Sequence, residues 1–303
     1  MRRLAMALVT SFALLAGACA GDQTAAPPAG AVTVAAFGFT ESRILAELYG
    51  QAMEAKGIPV RRALDLASRE VVEPALEQGA VDFVPEYSGT ALEFLNRAAG
   101  QATSDPAATY GLLRAAFSTR GIITLDPAPA QNQNALAVTE STAQHLRLTS
   151  VSDLRPYAYD MVFGAPPECP ERRFCLTGLV SVYGLAFKEV RALDAGGPLT
   201  IGALEGDEID VGLMFTTSPA IATSRLVLLA DDRGLQPAEN VVPVVRKPVL
   251  ERHGDTLSDA VNAVSAQLTT EELVALNRRV ELERQTPHEA ARAWLSLRGL
   301  GKG

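Results

Sequence analysis

The chain has 303 residues, of which 48% are hydrophobic and 20% charged. That is the composition of a folded globular protein, large enough for one big domain or two lobes of ordinary size, and not of a disordered chain. A net charge of −8 argues against a nucleic-acid partner, because phosphate binding needs a basic face.

The N-terminus reads as an address, not as part of the fold. In "MRRLAMALVTSFALLAGAC", Arg2 and Arg3 precede an apolar run from Leu4 to Leu15, and small residues follow up to Cys19. This is the three-part pattern of a secretory signal, and its apolar run is short for a membrane span. A cysteine directly after the small residues resembles a bacterial lipobox, although Ala16 stands where leucine is most usual. Residues 1–19 are therefore expected to be a leader with Cys19 as its lipidation site. The alternative is a plainly secreted protein with one surplus cysteine. Residues 20–31, rich in small residues and proline, read as a flexible tether.

From Val32 onward, strand and helix patterns alternate. "VTVAAF" predicts a strand, Thr40 an N-cap, and Glu41 to Lys56 a helix closed by Gly57. "IPVRRALD" predicts the next strand, and Ser68 opens a helix with Val71, Val72, Ala75 and Leu76 inside and Gly79 at its end. "VDFVP" is a strand running into "PEYSGT" and the helix "ALEFLN". Strands separated by amphipathic helices predict an α/β fold with a parallel sheet, whose ligands sit beyond the strands' carboxyl ends. "PEYSGT" lies at such an end.

A second unit repeats this rhythm. "ALAVT", "DMVFGA", "FKEVRALD", "IDVGLMF" and "LVLLADD" read as strands, with helices near Leu179 to Phe187 and over "LTIGALEGD". One more strand, "NVVPVVR", is followed only by helical patterns, so it must return to the first unit. Two lobes result, 32–134 with 241–303 and 135–240, joined by two crossing strands that act as a hinge around a ligand cleft. Cys169 and Cys175, six residues apart, read as a disulfide that shapes one loop and contributes about 2 kcal/mol. Two thiols without a nearby histidine cannot complete a zinc shell, so no metal and no cofactor are expected.

"FGFTESRILAELYGQAMEAKG", "LASREVVEPALEQGAVDFVPEYSGT", "QNQNALAVT", "GAPPECPERRFCLTGLVSVYGL" and "DDRGLQPAENVVPVVR" resemble, in this order, the solute-binding proteins of osmoprotectant ABC importers. The resemblance spans Val32 to about Leu300. It implies the two-lobed type II periplasmic-binding-protein fold, a monomer outside the cytoplasmic membrane, and a membrane permease with its ATPase as partners. It also implies a site for glycine betaine, choline or carnitine, in which tyrosines cage the trimethylammonium by cation–π attraction and an arginine grips the carboxylate.

By position, Tyr87 takes the place of the first cage tyrosine and Thr90 that of the hydroxyl after it. Asn132 stands where the family has Asn or Asp, and Arg172 where it has the carboxylate-gripping arginine. Phe215 replaces a cage tyrosine, Ser218 an aspartate, and Asn134 and Glu239 fall on two further cage tyrosines. Two rings, Tyr87 and Phe215, are thus expected to survive. Glu239 could supply the missing negative charge or could face solvent beside Asn240. Phe215 could equally be core, Thr90 a helix cap, and Arg172 a surface residue paired with Glu171.

Catalysis has little in its favour. The three histidines, His145, His253 and His288, lie in polar settings, and no phosphate-binding glycine loop or G-x-S-x-G is present. A sensor lipoprotein that kept the fold but not transport remains a third reading.

Overall fold

The computed structural model describes residues 30–301. The expected leader, Cys19 and the tether up to Ala29 lie outside the described residues.

In chain order, the first part contains β1 (Val32–Ala35), α1 (Thr40–Ala55), β2 (Val60–Ala63), α2 (Arg69–Gln78) and β3 (Phe83–Tyr87). It continues with α3 (Ser88–Leu95), α4 (Pro106–Ser118) and β4 (Ile122–Thr124). The middle part holds β5 (Asn134–Thr139), α5 (Glu140–Leu146), β6 (Val162–Ala165), α6 (Leu176–Gly178), β7 (Glu189–Ala192), α7 (Pro198–Glu205), β8 (Val211–Phe215) and β9 (Leu226–Leu229). The chain ends with β10 (Val241–Arg246), α8 (Lys247–His253), α9 (Asp255–Ser265), α10 (Thr270–Glu281) and α11 (Pro287–Leu297).

Two five-stranded sheets form, ordered β2–β1–β3–β10–β4 and β7–β6–β8–β5–β9. Neither is purely parallel. β10 runs antiparallel between β3 and β4, and β5 runs antiparallel between β8 and β9. Each sheet therefore has a three-stranded parallel part completed by a reversed strand, because that strand enters from the other sheet. The two passages between sheets lie just before these strands, where Gln131 and Asn240 form an antiparallel bridge and Asn132 N–H donates to Glu239 O at 3.1 Å. β10 returns to the first sheet, as its isolation before the C-terminal helices required.

Three local expectations change. Phe39, not Thr40, is the N-cap of α1 and offers no side-chain bond, so Thr40 is the first helical residue. Val71 is 49% exposed, because the buried stripe of α2 consists of Arg69, Val72, Glu73 and Leu76. Two charged residues thus occupy core positions on that helix, where charges are rarely left unpaired. The helix expected near Leu179 is α6 continued by one π-helical turn, Leu179–Tyr183. Among the described residues no helix is long and apolar enough to cross a membrane.

Candidate functional site

β1 and β3 are parallel neighbours, so the residues after them emerge at the same edge of the first sheet. Phe37 and Phe39 follow β1, while Tyr87 ends β3 directly before α3. At the facing edge of the second sheet, β8 ends at Phe215, opposite Asn134 of β5. A cleft of about 810 Å³ lies between these edges, and Tyr87, Thr90, Asn132, Asn134, Arg172, Phe215 and Glu239 all line it.

More rings meet there than the sequence comparison counted. Phe39 lies 6.1 Å from Tyr87 and 5.3 Å from Phe215, centroid to centroid, so it joins the aromatic residues of the two sheets. Phe37 stacks on Phe39 at 6.2 Å, and Phe94 and Phe174 also border the cleft. These rings add to the two, Tyr87 and Phe215, expected from the cage positions. "AAFGF" carried the signal: it follows a strand at its carboxyl end, the place where such folds bind ligands.

Tyr87 is held from behind by a residue that sequence reasoning passed over. Glu41, buried in the first turn of α1, accepts bonds from Tyr87 Oη at 2.7 Å and Asn132 Nδ2 at 2.8 Å. It also accepts from Thr217 Oγ1 at 2.6 Å and Asn277 Nδ2 at 2.7 Å. One carboxylate is therefore satisfied by four donors from both sheets and a C-terminal helix. Burial first, and the Glu41 charge second, hold the Tyr87 phenol well above its ordinary value, so it stays a donor.

Glu239 does not face solvent. It is 2% exposed, and its carboxylate accepts from Gly89 N–H at 3.0 Å and Thr90 N–H at 2.9 Å, the first-turn amides of α3. The orphan amides at this helix start are thus satisfied by the returning crossover segment. Thr90, expected as a possible cap, is no cap: the N-cap is Tyr87, without a side-chain bond, and the acceptor is Glu239. Gly89 permits this approach, since a Cβ there would lie 2.4 Å from Pro237 Cγ and 2.8 Å from Ala238 O. Burial pushes the Glu239 carboxyl up to about 8, against the pull of the Thr90 amide and the Arg69 charge.

Behind Glu239 lies an ion pair that accounts for Arg69 in the charged stripe of α2. Arg69 donates from Nε and Nη2 to Glu86 at 2.9 and 2.7 Å, and both side chains are buried. Among the described residues neither carboxyl oxygen of buried Glu73 has a hydrogen-bond partner, and burial first, then Glu86, pushes that carboxyl up to about 9.

Cys169 and Cys175 are joined by a disulfide. Its loop presents Arg172 across the cleft, where Nη2 meets both Glu70 oxygens at 3.0 Å and Glu168 at 3.6 Å. The expected alternative partner, Glu171, is not the one used. Burial first, and then the neighbouring Arg69 charge, lower the Arg172 value. Asn134 Nδ2 donates to Phe174 O at 3.1 Å, which ties β5 to the same loop. Ser218 is not part of this cleft; it lines a smaller neighbouring cavity of about 240 Å³, beside Phe39 and Phe215. Among the described residues no group of three or more His, Cys, Asp or Glu could hold a metal ion.

Residues 30–296 match the family described as the substrate binding domain of ABC-type glycine betaine transport system. The glycine-betaine-binding protein of Pseudomonas aeruginosa is 33% identical over 268 residues, covering 85% of this chain and 84% of that protein. The glycine betaine-binding protein YehZ of Escherichia coli is 27% identical over 272 residues, 87% of this chain and 89% of that one. Among solved structures, one described as a glycine betaine/carnitine/choline ABC transporter superposes with a TM-score of 0.70 at 25% identity, covering 89% of this chain and 99% of that chain. Two mixed sheets joined by two crossovers agree with these likenesses over nearly the whole described chain. The chain belongs to the family of extracytoplasmic substrate-binding domains of ABC-type glycine betaine transport systems, whose members bind a small solute and serve a permease and its ATPase.

Proposed function

We propose that this chain captures a small zwitterionic or quaternary-ammonium solute, of the glycine betaine, choline or carnitine kind, in the cleft between its lobes. The observation that carries this reading is the contact of Phe39 with Tyr87 on one side and Phe215 on the other. Rings from both sheets thereby face one space, and a desolvated ammonium gains about 0.5–2 kcal/mol from each ring it meets. Tyr87 and Phe215 are assigned to the cation, Thr90, Asn132 and Asn134 to polar contacts, and Arg172 and Glu239 to the charge balance of the site. The lobes are taken as 32–134 with 241–303 and 135–240.

The same reading assigns residues 1–19 as a leader, Cys19 as a lipid anchor on the outer face of the membrane, and 20–31 as the tether. The working unit is a monomer that delivers its solute without chemistry. Calorimetric titration of the purified protein with glycine betaine, choline, carnitine and proline tests the assignment. Saturable binding of at least one quaternary ammonium, weakened in Tyr87→Ala and Phe215→Ala, is the expected result. Binding of proline alone, or equal binding by wild type and both variants, overturns it in favour of an amino-acid-like solute or a different site.

A further inference from the structure

Arg172 was the arginine that the family pattern supplied for a ligand carboxylate, yet its charge is already engaged. Nη2 faces both oxygens of Glu70 at 3.0 Å, and Glu168 stands 3.6 Å away. A ligand carboxylate reaching Arg172 would approach a guanidinium whose Nη2 already stands between two carboxylates, Glu70 and Glu168.

A second arginine lines the same cleft. Arg69 is 5% exposed and sits at the start of α2, with its guanidinium 5.1 Å from the centroid of the Phe37 ring. Only Nε and Nη2 are engaged, both with Glu86; Nη1 donates to no group among the described residues. A fork with one free arm is poised for a further charge-assisted bond.

The surrounding carboxyls decide whether that arm can attract an anion. Glu86, Glu73 and Glu239 all lie close enough to act on Arg69 electrostatically. Burial pushes Glu73 up to about 9 and Glu239 up to about 8, which weakens the negative charge these two set against Arg69, and Glu86 is the group the arginine pairs with directly. Among the described residues the guanidinium is paired with Glu86 alone.

We propose that Arg69, not Arg172, is the group that recognises the ligand's carboxylate, and that the cleft is therefore built for a zwitterion rather than for a simple quaternary cation. Phe37 connects the two halves of this recognition. One arginine lies over its ring, and Phe39, the centre of the aromatic cluster, stacks beside it. The positive and negative ends of a short zwitterion thus meet Phe37 and Phe39, which follow β1, and Arg69, which opens α2 after β2, the parallel neighbour of β1. Arg172 instead reaches Glu70 across the cleft, from the disulfide loop.

This inference rests on the functional reading above, and glycine betaine and choline separate the two. Both carry a trimethylammonium group, and only the first carries a carboxylate. The test is calorimetry of wild type, Arg69→Lys and Arg172→Lys with each compound. Lysine keeps the charge against Glu86 but removes the planar fork. Arg69→Lys is expected to weaken glycine betaine by about tenfold or more and choline by less than about threefold. Arg172→Lys is expected to affect the two compounds alike.

Choline binding by Arg69→Lys also reports that the cleft has folded. Should it be lost, the charge-neutral pair Arg69→Met with Glu86→Gln provides the second comparison. Equal loss of both compounds in that pair, undiminished betaine binding in Arg69→Lys, or selective loss of betaine in Arg172→Lys would each overturn the assignment of Arg69. A wild type that binds neither compound overturns the functional reading, and the inference with it.

Discussion

Thr217 donates its hydroxyl to Glu41 Oε2 at 2.6 Å, a bond that runs from the end of the second sheet to the first turn of α1. Both side chains are buried, and Asn277 Nδ2 reaches the same carboxylate oxygen while also donating to Thr217 O at 3.2 Å. The two sheets are therefore joined by a side-chain bond as well as by the two crossovers. They share a polar node directly behind Tyr87.

Removing that node should be costly. Glu41→Ala leaves four buried donors without their acceptor, and unsatisfied groups of this kind cost about 1–3 kcal/mol each before relaxation. A loss of at least about 3 kcal/mol in unfolding free energy is expected, against about 1–2 kcal/mol for Thr217→Val, where the carboxylate keeps three donors. Urea denaturation of the two variants checks the order; equal and small losses would show that the node is not structural.

Tyr87 has two functions that substitutions separate. Tyr87→Phe keeps the ring in the cleft but deletes the bond to Glu41, so it should lower stability by about 1 kcal/mol and leave glycine betaine affinity within about threefold. Tyr87→Ala removes the ring as well, and affinity should fall by about tenfold. Parallel calorimetry and denaturation decide whether the two effects separate as expected.

The start of α3 depends on a partner about 150 residues further along the chain. Glu239→Ala should cost about 1–2 kcal/mol through the orphaned Gly89 and Thr90 amides, while Glu239→Gln, which keeps an acceptor, should cost less. Gly89→Ala places a methyl against Pro237 and should cost about 1–3 kcal/mol by overpacking. Midpoints of thermal unfolding rank the three.

Stability should fall as the solution becomes alkaline. Folding raises the carboxyls of Glu73 and Glu239 from an ordinary 4.5 to about 9 and about 8. Between those limits the folded chain holds protons that the unfolded chain has released. Their contribution is complete below about pH 4.5 and drains away as the pH rises through 8 to 9. Asp153, lowered to about 2 by the Thr149 and Ser150 amides, has the opposite sign, and its contribution is complete well before pH 5. The expected melting temperature declines from pH 5 to pH 9, and Glu73→Gln makes that decline shallower, with its largest gain over wild type at pH 9. A pH-independent melting temperature in wild type would refute this.

Much of the architecture was legible because strand and helix periodicity survive in the sequence. The return of β10 followed from simple chain logic, since a lone strand cannot make a sheet. The aromatic cleft was legible only in part. Tyr87 and Phe215 could be found by position in a family pattern, while Phe37 and Phe39 required knowing which strand ends share an edge. Glu41, Arg69 and Glu239 were hidden for a different reason. Acidic and basic residues on a helix or loop are normally solvated, and the sequence does not reveal that these three are buried against partners 17 to more than 200 residues away. Arg172 shows the converse. It lines the cleft, but the pattern could not reveal that Glu70 waits on the other side.

The position of β10 also sets an order of events during synthesis. It lies between β3 and β4, so the first sheet lacks an interior strand until residues 241–246 have been made. The second sheet is encoded without interruption from Asn134 to Leu229 and has all its strands before then. A chain emerging from its N-terminus therefore completes the middle lobe first, while the early helices wait with their apolar faces uncovered, the condition under which partly folded chains associate. The same insertion makes the two lobes inseparable by truncation. Cutting the chain after the second sheet removes the strand that finishes the first.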